Sequence, residues 1–179
     1  MTISTWLPSA VSSAGIIVAL SAFIWQIRRA RFNQSVDLLF KLENDFFGAS
    51  KKDQRVKAAH DLLAGQFLEA EPILDFFETM ALLLRRKALD KEMVWHTFSY
   101  WIDHYYEATK NYIQKRQKDD PFVWEDFVAF VSKLRKFQSE RHGTPAYRPP
   151  SPEQVTRFLE EELTEATSPP SFAPQTPPA

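Results

Sequence analysis

Cysteine is absent from the 179-residue chain, which removes disulfides, thiolate metal ligands and cysteine nucleophiles together. Glycine is nearly absent, with four residues. A phosphate-cradling loop needs several glycines at fixed spacing, and the G-x-S-x-G nucleophile elbow does not occur. No cofactor motif is present, and none is expected to bind. The chain also lacks a positive surplus: its net charge is −1 and its pI is near 6.4, against a footprint above about 9 for nucleic-acid-binding domains. Nucleic acid is not an expected partner.

One absence is local. Residues 1–27 carry no charge, and all 22 Lys and Arg and all 23 Asp and Glu come after them. Residues 6–27, mostly Ile, Val, Leu, Ala, Phe and Ser, cross a hydrocarbon core of about 30 Å at about 1.5 Å per residue. Trp6 and Trp25 stand near the two ends, where indole rings favour the headgroup level. Ser9 with Ser13, Ala10 with Ala14, and Gly15 with Ala19 have the small-xxx-small spacing of associating membrane helices, so a homo-oligomer is one expected state. Arg28, Arg29 and Arg31 crowd the far end, and the positive-inside bias places them beside anionic lipid on the cytoplasmic side. The expectation is an anchor over residues 1–27, a single-pass inner-membrane location, the N-terminus outside and the remainder cytoplasmic.

From residue 28 to 142 the apolar periodicity is helical, which predicts an all-α bundle of about five helices. Phe32, Val36, Leu39, Phe40 and Phe46 mark the first, which ends at Gly48 and continues unbroken from the anchor. Val56, Ala59, Leu62 and Leu63 mark a second over 51–64, closed by Gly65. The third, over 72–88, carries Ile73, Leu74, Phe76, Phe77, Met80, Ala81, Leu83 and Leu84, an apolar face wide enough for a central position. Asp90 is the N-cap of the fourth and longest, with Val94, Phe98, Trp101, Tyr105, Ala108 and Tyr112 in one stripe and Trp95, Ile102, Tyr106 and Ile113 in the next. Asp120 and Pro121 start a fifth, facing inward with Phe122, Trp124, Phe127, Val128, Val131, Leu134 and Phe137.

Proline, sparse before residue 143, is then abundant: nine of the twelve lie in the 143–179 tail. Within it, Val155, Phe158, Leu159 and Leu163 share one face of a short helix over 152–165, which either docks back on the bundle or binds a partner. Residues 167–179 are polyproline-like in composition.

The best candidates for chemistry are His96, His104 and Glu107, on the polar side of the fourth helix together with Asp103. His96 and His104 are eight positions apart, about 12 Å along the axis, too far to share one ion without further ligands. No metal is expected, and the simplest expectation for these groups is a solvated face. The cluster Lys51, Lys52, Arg55 and Lys57 is likewise expected at the surface, diluted by Asp53 and Asp61.

In its order of elements the chain resembles an uncharacterised bacterial family of membrane-anchored helical proteins, a domain of unknown function. The likeness covers about residues 7–137. It is carried by the Arg-rich junction, the Leu39-Phe40-Lys41-Leu42-Glu43 region, Ile73-Leu74-Asp75-Phe76-Phe77-Glu78, Arg85-Arg86-Lys87-Ala88-Leu89-Asp90, Tyr100-Trp101 and the Trp124–Phe127 helix. The resemblance implies a bacterial, membrane-tethered helical domain and carries over no catalytic residue. The expected role is a scaffold, regulator or subunit that positions an unknown protein partner. The alternatives are a metal-dependent hydrolase built on His96, His104 and Glu107 and, last, an oligomeric pore-forming effector.

Overall fold

In the computed structural model the backbone is described for residues 7–142 and 147–165, and side chains for 19–141 and 147–164. The described chain is all-helical: α1 (Leu7–Phe47), α2 (Ala49–Leu63), a 3-10 turn (Leu68–Ala70), α3 (Glu71–Arg85), α4 (Lys91–Asp119), α5 (Glu125–His142) and α6 (Pro152–Glu165).

The expected transmembrane anchor is overturned, and with it the single-pass inner-membrane location and external N-terminus. Among the described residues no helix is long and apolar enough to cross a membrane. Helix α1 itself is continuous over 41 residues, about 60 Å, and meets Arg28, Arg29 and Arg31 midway along its length. Trp6 lies outside the described residues, and of the expected association face, Gly15 included, only the side chain of Ala19 is described, and it is exposed. Trp25 is exposed, and the Arg29 guanidinium lies 5.3 Å from its ring centre.

Helix α1 has two parts. From residue 19 to 34 every side chain is exposed, forming a stem that stands off the bundle. From Ser35 onward one face turns inward, with Ser35, Leu39 and Phe46 buried at steps that keep them on one side of the helix. Phe32 and Phe40, expected inward, are 60% and 57% exposed. The helix ends at Gly48, whose backbone is extended, with φ −65° and ψ 157°. Glycine is needed there for space, because a Cβ would lie 2.7 Å from the Asn44 carbonyl oxygen.

Central helix α3 buries Ile73, Leu74, Phe76, Phe77, Met80 and Ala81. It packs against α5, while α6 lies across α2 and α4. Asp90 caps α4 as expected, its Oδ1 accepting from the Glu92 and Met93 N–H groups at 2.9 and 3.0 Å. The Asp90 N–H in turn donates to Ser35 Oγ at 2.8 Å, tying the start of α4 to α1.

Two helices end in the same six-residue closing motif. After α2, Gly65 has φ +72°, and the Gln66 and Gly65 N–H groups reach back to the carbonyls of Asp61 and Leu62. After α3, Ala88 and Lys87 reach back to Leu83 and Leu84 in the same way, but the left-handed residue is Lys87, at φ +57°. This early stop is why α3 ends at Arg85 and not near Ala88.

The start of α5 also departs from expectation. Residues 121–124 form a turn, and the helix begins at Glu125 because Trp124 is left-handed at φ +51°. Its indole N–H donates to Asp75 Oδ1 at 2.9 Å, which holds the ring against α3. Phe122, expected inward, is 77% exposed. The cap comes from another helix: the Glu78 carboxylate accepts from the Asp126 and Phe127 N–H groups at 3.2 and 2.7 Å.

Burial is the largest influence on Glu78 and raises its pKa, while those two backbone hydrogen bonds lower it without cancelling the effect. The folded state therefore holds this proton more tightly than the unfolded chain. The Glu78 contribution is fully present below the ordinary value of about 4.3 and is lost as pH rises through the raised folded value. Gln at this position cannot titrate. Urea midpoints of the wild type and Glu78→Gln, measured across that range, should move against the wild type as pH rises; parallel profiles would refute the shift.

Candidate functional site

The polar side of α4 is solvated at His96 but not at Asp103 and Glu107, which α5 and the segment entering α6 cover. Asp103 is buried. Arg135 of α5 reaches both acids, with Nε 3.2 Å from Asp103 Oδ1 and Nη2 2.8 Å from Glu107 Oε1. The other Glu107 oxygen takes the Lys110 ammonium at 2.5 Å. The Arg135 guanidinium also lies against the rings of Tyr106 and Tyr147, 4.9 and 5.0 Å from their centres. The Tyr147 hydroxyl also hydrogen-bonds Asp103.

Burial pushes the Asp103 pKa up, more than Tyr147 and Arg135 bring it down. For Glu107 burial acts in the same direction, but Lys110 and Arg135 outweigh it and leave the acid lowered. Tyr147 is raised by burial and by the neighbouring Asp103 charge. These groups satisfy one another, so the cluster works as a fastener between α4, α5 and the C-terminal segment.

The hydrolase candidates do not converge. His96 is exposed and stands against the adjacent Trp95 ring. His104 has Nδ1 2.7 Å from the Tyr100 carbonyl and packs against the rings of Tyr100 and Phe158, while Glu107 is committed to Arg135 and Lys110. Among the described residues no group of three or more His, Asp and Glu is placed to hold a metal ion.

The second fastener was not foreseen. Arg55, expected among surface lysines, is buried, with Nε 3.0 Å from Glu162 Oε2 and both side chains under 5% exposed. Its guanidinium lies 4.8 and 5.4 Å from the ring centres of Phe46 and Phe47. The Trp101 indole donates to the other Glu162 oxygen at 3.1 Å. Neighbouring Tyr100 donates to Glu161 at 3.2 Å, and its hydroxyl pKa is pushed up to about 12 by burial and then by that acid. Of the two roles open to α6, docking on the bundle is the observed one: Phe158 and Leu159 are buried, and Val155 and Leu163 pack partly buried against the same core.

With α6 so occupied, the longest run of exposed large apolar side chains among the described residues is on the stem of α1. Leu20, Phe23, Ile24 and Trp25 are each at least half exposed. The model of DUF4760, a domain of unknown function, matches residues 9–134. The chain belongs to the DUF4760 family. The DUF4760 match takes in the stem and the bundle as far as Leu134, and leaves Arg135, Tyr147 and all of α6 outside. No curated protein and no solved structure matches the chain.

Proposed function

We propose that this DUF4760 protein is an interaction module in which the helical bundle holds the α1 stem rigidly and the stem docks a protein partner. The observation that carries this is the fully exposed course of residues 19–34, on which Leu20, Phe23 and Ile27 recur at three- and four-residue steps. That spacing gives one side of the helix an apolar seam suited to a partner helix. A monomeric protein seldom leaves such a patch in water unless it serves association. The self-satisfied polar cluster on α4 supports a binding role over catalysis.

The test is purification at native expression of the wild type and of Phe23→Ser/Ile24→Ser/Ile27→Ser, with mass spectrometry of what accompanies each. A specific companion, or a second copy, should accompany the wild type and be lost from the stem variant, while His96→Ala/His104→Ala keeps it. The same companion retained by the stem variant would remove the stem from the interaction, and a phenotype lost only in the histidine variant would favour the enzyme.

A further inference from the structure

Where the stem meets the bundle, α1, α5 and the closing motif of α3 enclose a cleft of about 460 Å³, within the range of small-molecule sites, about 300–1,000 Å³. Its floor is apolar: Phe32, Ala81, Leu84, Leu89 and Phe130. Its rim is cationic. Seven charged side chains line it, and four have partners: Arg85 pairs with Asp126 at 3.0 Å, Asp90 caps α4, and Lys91 lies over the Phe137 ring at 4.0 Å. The remaining three, Arg31, Lys87 and Lys133, are all positive and exposed.

Lys87 adds a second observation. It occupies the left-handed position that glycine fills after α2, at a backbone cost glycine would not incur. Strain of this kind, retained at the lip of a cleft, marks a residue kept for its side chain.

We propose that this cleft binds an alkyl anion, a carboxylate or phosphate head on a single acyl or alkyl chain, with the head against Lys87, Lys133 and Arg31 and the chain on the Phe32, Leu84 and Phe130 floor. An uncharged chain leaves the rim cations unmatched, and an inorganic anion leaves the floor wet.

Calorimetric titration of the full chain below micellar concentrations tests the assignment with decanoate, decyl phosphate, decanol and inorganic phosphate. Decanoate and decyl phosphate should bind, and whichever is tighter identifies a fatty acid or a lipid phosphate as the source. Decanol and inorganic phosphate should each be at least about tenfold weaker, the equivalent of one charged contact or two buried methylenes. Lys87→Gly relieves the backbone and should raise the melting temperature while weakening decanoate about tenfold. A more stable protein that binds less well cannot be explained by misfolding. Ala129 is exposed and lines the cleft, so Ala129→Phe should fill it and abolish binding with the fold intact. Decanol binding as tightly as decanoate, inorganic phosphate binding as tightly as decyl phosphate, or unchanged affinity in either variant would overturn the proposal. So would loss of binding in the stem triple variant, which would put the chain on α1 and not in the cleft.

Discussion

Replacing Glu162 by alanine should destabilise the fold by about 3–5 kcal/mol, the usual cost of leaving one member of a buried ion pair without its partner. Arg55 would keep its charge against the rings of Phe46 and Phe47, where water reaches it poorly. The Trp101 N–H would lose its acceptor as well. Because a buried pair is often no better than apolar groups of similar volume, Arg55→Met/Glu162→Leu should recover most of the loss. Urea unfolding of the two variants decides the matter. A Glu162→Ala cost under about 1 kcal/mol would mean that the pair behaves as an exposed one.

The second large effect is expected at Phe46. Its ring is fully buried and lies 5.1 to 5.9 Å from the ring centres of Phe76, Phe77, Phe98 and Trp101. Phe46→Ala opens a cavity where α1, α3 and α4 meet and removes one of the faces on which Arg55 rests, so about 3–5 kcal/mol should be lost. The loss should also be uneven. Amides near Leu39 should lose hydrogen-exchange protection before those of α3, since Phe46 is the deepest attachment of α1 to the bundle. Uniform loss across the two helices would show that α1 does not detach as a unit.

What the sequence disclosed follows the range of the interactions involved. The cap at Asp90, the closure at Gly65 and the span of α6 all rest on partners a few residues away, and each was legible. Trp124 and Lys87 were not, because neither left-handed position carries a glycine to announce it. Arg55 and Asp103 were read as surface charges, since composition does not reveal that Glu162 and Arg135 will meet them inside. The opening segment misled for the opposite reason: its local pattern was strong, but no helix among the described residues meets the requirements of a span. At the candidate site, the residues with familiar chemistry, His96 and His104, proved peripheral. The cleft draws on three separate stretches of chain, which no linear motif brings together.

Helix α1 passes without interruption from open solvent to Phe46, and this makes it a lever with one end clamped. A helix resists twisting, so a partner that rolls the stem by one residue's worth, about 100°, turns Ser35 away from Asp90 and drives the Phe46 ring out of its aromatic seat. Torque applied at Leu20 thus arrives at the root of α4. A partner must either accept the angle at which the stem is presented or do work against the core to change it.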